Sequence, residues 1–507
     1  MFHKFEQKIN DLSQGTVGTF CLRCHATVGT SLGERRELAL WERSEVSREG
    51  VTCITCHRIN EEYGRVNGER RVVPGEIFDP MSGAGDGAAL QSVVTNAGYY
   101  KVRTSSQERG KDIHRCIYTF RPLTKSEFCV GCHQVAVHPG IKLEVVWEQF
   151  RDSPAFREGK TCQDCHMGKT PGKADGFVTG AAAVVDGHLI NTNHVRHNHM
   201  FIGPGYPIAH PGLFPHHPDA GQYSIETWLK FDYRAGWGKE DFEKKISDSK
   251  SKIVFPKEWE SEIDREEARR IVDENVALIA QKRELRRQIM ENSSKIDGPI
   301  FSGEPRAGKP LRFNYKVTNI NPGHNLPSGS LGAQPEIWLD VALLGPDGKN
   351  LWESGYVDSQ GDMADLHSLD VAAGKIARDE QLFNLQSKFL TTNVKGTDRE
   401  MYLPVNLDVD QIPFIRPAGQ PISVLNHPPG IRMEQRSIPP LGSRTASYKV
   451  PASLLKQPGK YRLAVRLRTR AEPIYFMKFV GATREMEQAM NEWMLDAHPY
   501  TVEFEVK

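Results

Sequence analysis

The pattern Cys-x-x-Cys-His occurs four times in the first third of the chain, and it constrains the fold more than any other feature. Paired thiols followed directly by an imidazole are the signature of c-type haem attachment. Two thiols bond to the two vinyl groups of a haem and fix its rim, so the next side chain lies beneath the iron and must be a ligand. The pattern therefore predicts four haem c groups, with covalent attachment at Cys21, Cys24, Cys53, Cys56, Cys129, Cys132, Cys162 and Cys165 and proximal iron ligands at His25, His57, His133 and His166.

Other roles for paired cysteines fit this pattern less well. Cys-x-x-Cys pairs also build tetrahedral zinc sites, but zinc does not require a histidine after every pair. A thioredoxin-like redox motif would not occur four times. A disulfide scaffold would not confine all the cysteines to residues 21–165. Cys116 is left unpaired by this count; we expect a buried thiol there, with a regulatory or intermolecular thiol as the alternative.

The second axial position of each iron needs a further ligand, and histidine is the usual one in low-potential electron-transfer haems. The chain has 18 histidines, and seven of the 14 outside the motifs fall within residues 188–217. Methionine is also an axial ligand, but the surplus of histidine makes it the less favoured choice. His324 lies between glycines in a loop and could ligate a metal, but a histidine in such a position is more often structural. The candidate distal ligands are therefore His3, His114, His138 and His199, with His194, His197 and His210 in reserve.

The N-terminal part, residues 1–220, is rich in Gly, Pro, Cys and His and has little sustained periodicity. We expect a haem-rich domain of short helices and loops whose central apolar mass is the haem itself. The pattern of residues 221–298 predicts a helical connector, with one long helical stretch from Trp259 to Ser293. This helix is expected to pack on its own protein, although an inter-subunit contact is the alternative.

The C-terminal part, residues 299–507, has a different pattern and no cysteine. Apolar and polar residues alternate in several short runs that are separated by Gly and Pro turns, for example from Leu311 to Val317. Alternation of this kind is typical of strands with one buried face, and repeated runs indicate an immunoglobulin-like β-sandwich. The chain as a whole is thus predicted to be of mixed class, with a haem domain, a helical connector and a β-sandwich.

Charge and hydropathy exclude some partners. Lys and Arg total 65 and Asp and Glu total 64, so there is no global basic field of the kind that favours nucleic acid. No run of apolar residues is long enough to predict a transmembrane helix. No apolar signal-peptide segment is visible after Met1. Because haem is attached to this motif outside the cytoplasm in nearly all known systems, we expect an extracytoplasmic protein whose sequence here is a mature or trimmed form.

Several segments resemble a known superfamily of multihaem c-type cytochromes. Residues 126–133, 147–153 and 159–167, which include Ser126-Glu127-Phe128 and Gly159-Lys160-Thr161, look like the last two haem motifs of that superfamily. It includes the tetrahaem cytochrome of ammonia oxidisers, hydroxylamine oxidoreductase and the tetrahaem cytochromes that build extracellular filaments. Residues 197–203 resemble an element whose histidine is a distal haem ligand, which favours His199. Residues 319–329 resemble a β-sandwich that is appended to some members.

The resemblance implies electron transfer through covalently bound haem. Hydroxylamine oxidoreductases carry more haems and a special catalytic haem, so their activity is not implied. We expect an electron conduit or a polymerising filament cytochrome, whose partners are other redox proteins or copies of itself in a homo-oligomer. The alternative is a haem enzyme in which one open iron site acts on a small nitrogen or sulfur species. No other catalytic motif is present.

Overall fold

The computed structural model describes residues 4–8, 21–35, 38, 42–59, 61, 68, 71–137, 141–203, 205, 208–248, 253–328, 335–390, 432–434 and 436–507. The chain divides into two compact units. One unit comprises Met1–Gly205 together with Arg287–Lys507, and the other comprises Tyr206–Arg286. The Cys-x-x-Cys-His motifs and the C-terminal strands therefore belong to the same unit.

The part of the first unit that contains the motifs is built from short elements, because Gly and Pro interrupt every periodic run. Its helices are Leu22–His25, Thr27–Ser31, Glu45–Arg48, Cys53–His57, Ala88–Thr95, Ala97–Tyr100, Val130–His133, Val146–Arg151, Pro154–Arg157 and Cys162–His166. Two-stranded pairings join Met81–Gly83 to Ile117–Thr119, Val102–Arg103 to Lys111–Asp112, Val135–Val137 to Ile141–Glu144, Val178–Gly180 to His194–Arg196, and Ala183–Val185 to His188–Ile190.

Apolar packing in this part is local. One cluster has Ile59, Phe120 and Phe128 at its centre, and another joins Val93 to Val102 and Ile190. Such small clusters bury little apolar surface, and burial of apolar surface is what stabilises a fold in water. The described residues of this part therefore lack the extended core that the C-terminal part possesses.

Seven longer strands form what we call the two-sheet region. They are β1 Ser294–Phe301, β2 Leu311–Asn319, β3 Glu336–Leu344, β4 Asn350–Ser354, β5 Ser443–Val450, β6 Gly459–Arg470 and β7 Leu495–Val506. One antiparallel sheet has the order β1-β2-β5 and the other has the order β4-β3-β6-β7. A single core joins the inner faces of both sheets, with Phe313 and Tyr315 from one sheet and Leu339, Val341 and Leu463 from the other.

The alternating pattern explains why these strands form. Along β2 the side chains at Leu311, Phe313, Tyr315 and Val317 are buried, while those between them are exposed or half-buried. Successive side chains of a strand point to opposite faces, so this spacing places the apolar set on one face. The mixed helix and strand class predicted from the sequence is confirmed. A short helix, Arg484–Glu492, lies between β6 and β7.

The second unit is helical, with helices Ile225–Leu229 and Glu240–Asp248 and the greater part of Glu262–Ser293. The last of these is the long helix expected from the sequence. Its residues Ile271 and Val272 are fully buried against Trp228 and Trp259 of the same unit. Leu278, by contrast, is 51% exposed. None of the helices in the described residues combines the length and the apolar character that crossing a membrane would require.

Candidate haem-binding sites

The four Cys-x-x-Cys-His motifs share one local conformation, a short helical turn that ends at the histidine. Residues three and four apart lie on the same face of a helix, so this turn brings both sulfur atoms and the imidazole to one side. In the fourth motif the turn is fixed at its start, where the Thr161 amide donates to Asp164 at 2.8 Å and the Asp164 amide donates to Thr161 at 3.3 Å. None of the nine cysteines, all of which are among the described residues, forms a disulfide.

Two of the motif histidines are oriented by backbone carbonyls. His57 Nδ1 lies 2.7 Å from the Ser82 carbonyl oxygen, and His166 Nδ1 lies 3.3 Å from the Ile202 carbonyl oxygen. A carbonyl only accepts, so the proton must be on Nδ1 and the lone pair on Nε2. A metal-bound histidine commonly has this arrangement, in which the second ring nitrogen donates and fixes the ring. Burial also lowers the pKa of His25 and of His166, which favours the neutral imidazole that binds metal.

Two motif histidines each face a second histidine at similar separations. The ring centroids of His57 and His199 are 6.3 Å apart, and those of His166 and His324 are 6.1 Å apart. A metal–imidazole bond is about 2 Å and the ring centre lies about 1 Å beyond the nitrogen, so two imidazoles on opposite faces of one iron have centroids about 6 Å apart. Both separations therefore fit a haem iron between the rings.

The second histidine of each pair is also held through Nδ1. His199 Nδ1 lies 2.8 Å from the carbonyl oxygen of His197, and His324 Nδ1 lies 3.1 Å from that of Asn325. Their Nε2 atoms are thus left as acceptors in the same way as those of the motif histidines. Burial lowers the pKa of His324 to about 4, so this ring is neutral at physiological pH. The sequence alone favours a structural role for His324, a lone histidine in a Pro- and Gly-rich loop, although it leaves metal ligation open.

The other candidate ligands lie in varied surroundings. His114 is half-buried, and its Nδ1 lies 2.5 Å from the Ile77 carbonyl oxygen. His194 is exposed in a short strand, and the His197 ring packs on Phe177 with centroids 4.2 Å apart. His210 belongs to the helical unit, where Nε2 contacts the Phe231 carbonyl oxygen at 2.9 Å and Nδ1 accepts from the Gly212 amide at 3.0 Å, so both nitrogens are engaged. The candidates His3 and His138 lie outside the described residues.

The motifs contact one another directly. The side chains of Cys129 and Cys162 are hydrogen-bonded, and this bond holds the pKa of the Cys162 thiol below its usual value. The Gly68 amide donates to the Gly131 carbonyl oxygen at 2.6 Å. A Cβ atom at Gly68 would lie 2.7 Å from Cys24 Sγ, so Gly68 is in close contact with both the first and the third motif. The third motif is therefore adjacent to the first and to the fourth.

A metal site built from side chains alone would need more ligands than these pairs provide. Within the part of the chain that the structure describes, no three His, Cys, Asp or Glu side chains converge to hold a metal ion. Structural zinc sites require four such ligands. A haem iron takes its in-plane ligands from the porphyrin and needs at most one side chain on each face. The histidine pairs and adjacent thiols therefore suit haem.

Cys116, the cysteine outside the motifs, is half-buried, whereas a buried thiol was expected from the sequence.

Comparisons with known proteins give only weak similarity. No family model and no curated protein matches the chain. Among solved structures, the chain is similar to a penta-heme cytochrome c552 from Thermochromatium tepidum, with 13% identity and a TM-score of 0.43 over 96% of this chain and 83% of that one. An alkylpurine DNA glycosylase, AlkC, from Pseudomonas fluorescens, bound to DNA with an abasic site analog, matches with 9% identity and a TM-score of 0.15 over 48% of this chain and 39% of that one. At these scores neither similarity bears on the assignment of the sites, which depends on the motifs and their geometry.

Proposed function

We propose that this protein transfers electrons through four c-type haems, each attached to one Cys-x-x-Cys-His motif. The observation that carries the proposal is the repeated motif, folded four times as the same helical turn with thiols and imidazole on one side. Haem supplies the one-electron redox chemistry, while the protein sets the axial ligands and the surroundings that tune each potential. The attachment residues are Cys21, Cys24, Cys53, Cys56, Cys129, Cys132, Cys162 and Cys165, and the proximal ligands are His25, His57, His133 and His166.

The haem at the second motif is assigned two histidine ligands, His57 and His199. Their ring separation of 6.3 Å and the donation of both Nδ1 protons to carbonyl oxygens support this assignment. His114, with its Nδ1 similarly engaged, and His3 and His138 remain the candidates for the first and third haems. Two neutral imidazoles favour a low-spin iron with both axial positions filled, which suits electron transfer better than catalysis.

The contacts between motifs support direct transfer from haem to haem. Cys129 and Cys162 are hydrogen-bonded through their sulfur atoms, and in the proposed protein these become thioether sulfurs at the rims of the third and fourth haems. Gly68 links the first motif to the third through its contacts with Cys24 and Gly131. Haems attached at adjacent motifs would lie near one another, so electrons could pass between them without a diffusing carrier.

We further propose that the protein works outside the cytoplasm as an electron conduit, with other redox proteins or copies of itself as partners. The location follows from the haem-attachment chemistry. The assembly is supported by apolar side chains on the long helix, where Ile263 and Leu278 are exposed. We assign the two-sheet region to the immunoglobulin-like β-sandwiches because its sheets share one core. Electron microscopy and light scattering on native material test the assembly; a monomer at high concentration would count against a filament.

The replacement His199→Ala tests the haem and ligand assignments together. Intact mass should show four haem masses above the polypeptide in both wild type and variant, because the attachment residues are unchanged. Electron paramagnetic resonance of the ferric protein should show one of the four haems converted from low spin to high spin. His188→Ala is the matched control, since His188 is an exposed histidine of a nearby strand and is not among the candidate ligands. A wild-type spectrum from His199→Ala would remove His199 as a ligand, and a mass without haem would refute the function.

A further inference from the structure

We infer that His324, from the two-sheet region, is the distal ligand of the haem attached at the fourth motif, Cys162–His166. This inference rests on the proposed haem function and extends it to a part of the chain that has no haem-attachment motif. The observation is the near-parallel arrangement of the His166 and His324 rings, which are 6.1 Å apart with planes inclined by 16°.

The separation of the two rings is too large for direct stacking. In the same region His367 and Tyr475 are stacked face to face with centroids only 3.5 Å apart. The centroids of the His166 and His324 rings are 6.1 Å apart, which is almost twice the separation in this stacked pair. The separation matches the centroid distance of about 6 Å expected for two imidazoles on one iron.

The loop that presents His324 is fixed on both sides of the ring. Asn319 Nδ2 donates to the His324 carbonyl oxygen at 2.9 Å, and Asn321 Oδ1 accepts from the Gly323 amide at 2.6 Å. Beyond the ring, Leu326 pairs with Ile438 in both directions, at 2.8 and 2.9 Å. A ligand on a loop is precise only when neighbouring hydrogen bonds restrain it, and these bonds provide that restraint.

The same loop is bound to the helices that precede the fourth motif. The Ala155 amide donates to the Pro322 carbonyl oxygen at 3.1 Å, and the Asn325 amide donates to Gln149 Oε1 at 3.3 Å. Gly323 lies against the Phe150 ring, because a Cβ atom there would be 3.7 Å from it. The two-sheet region is thus joined to the motif region at the point where His324 faces His166.

Ligation by His324 makes the two-sheet region part of a haem site. The potential of the fourth haem would then depend on how this region is folded, since the axial ligand is a principal determinant of haem potential. Attachment of haem at Cys162 and Cys165 and docking of the two-sheet region would also stabilise each other, because a ligand that binds only the folded arrangement favours it.

The experiment is the replacement of His324 by Ala and, separately, by Met, with His498→Gln as the control. His498 is a second histidine of the two-sheet region, and its Nε2 contacts Ser294 at 3.0 Å rather than a motif histidine. Ferric His324→Ala should retain four attached haems by mass and show one of them high-spin by electron paramagnetic resonance. Added imidazole should restore the low-spin signal, which a merely structural role would not produce. His324→Met should give one haem with methionine ligation and a raised potential.

The outcomes separate this inference from the proposed function. Four attached haems with a wild-type spin state in both His324 variants would overturn the role of His324 and leave haem electron transfer standing. A wild-type protein without covalent haem would overturn both. If His324→Ala does not fold, His324→Met decides, because methionine is close to histidine in volume: a wild-type spectrum refutes ligation and a methionine-ligated haem supports it.

Discussion

Glu472 provides a quantitative prediction for the two-sheet region. It follows β6, and its Oε2 atom is inaccessible to solvent and has no hydrogen-bond partner among the described residues. Burial, with a contribution from the neighbouring Glu336 carboxylate, raises its pKa from 4.5 to about 8. The folded protein therefore holds a proton on Glu472 at neutral pH that the unfolded chain releases. Glu472→Gln replaces this protonated carboxyl with a neutral amide of similar shape.

The raised pKa sets both the sign and the size of the effect. Between about pH 4.5 and pH 8 the folded state binds more protons than the unfolded state, so wild-type stability falls as pH rises through this range. At about 1.4 kcal/mol for each tenfold change in proton affinity, wild type loses at most about 5 kcal/mol of its free energy of unfolding across this range. Glu472→Gln has no group that titrates here. The free energy of unfolding of the variant minus that of wild type should therefore increase by up to this amount as the pH is raised from about 5 to about 9.

Denaturant unfolding of the holoprotein at several pH values measures this difference, and infrared spectroscopy detects the protonated carboxyl directly. A carboxyl C=O band that is present at pH 6, titrates near pH 8 and is absent in Glu472→Gln would identify the group. Glu505→Gln is the matched control, because Glu505 is exposed on β7. Parallel stability profiles for wild type and Glu472→Gln from pH 5 to pH 9 would refute the reasoning.

Two further replacements test packing elsewhere. Gly68→Ala should block haem attachment at the first motif, because the added Cβ would lie 2.7 Å from Cys24 Sγ at a φ of +66°; intact mass should show one haem fewer, whereas Gly85→Ala, with open space at its Cβ, should keep all of them. Arg265→Met should destabilise the helical unit by about 3–5 kcal/mol, because it leaves the buried carboxylate of Glu243 without its partner; an unchanged thermal midpoint would contradict this.

The shared conformation of the Cys-x-x-Cys-His motifs could be predicted from the sequence because their geometry is local. A helical turn fixes the relative positions of Cys162, Cys165 and His166 whatever the rest of the chain does. The strands were predictable for a similar reason. Alternation along β2 predicts which face is buried, and the structure buries Phe313 and Tyr315 as the pattern requires. In β3, by contrast, residues on both faces are buried, including Trp338 and Asp340, which alternation alone does not predict.

The pairing of histidines could not be predicted in this way, because it depends on contacts between distant parts of the chain. His57 and His199 are 142 positions apart in the sequence. Their ring centroids come within 6.3 Å of each other only once the segments between them have folded. Clustering in the sequence favours residues 188–217 as a group, and only the resemblance to known cytochromes places His199 ahead of His210. In the structure both nitrogens of His210 are bound within the helical unit. His324 received little weight because a loop histidine is ordinarily structural, and only its position opposite His166 changes that interpretation.

The segment 197–202 connects two of the proposed haem sites. His199 faces His57 of the second motif, while the Asn198 amide donates to the Met167 carbonyl oxygen at 2.8 Å, directly after the fourth motif. Within the same segment the Ile202 carbonyl oxygen accepts from His166, the proximal histidine of the fourth motif. A displacement of this segment would therefore move the distal ligand of one haem and the orienting partner of another together. Because ligand identity and ligand orientation both affect haem potential, the second and fourth haems would not be tuned independently.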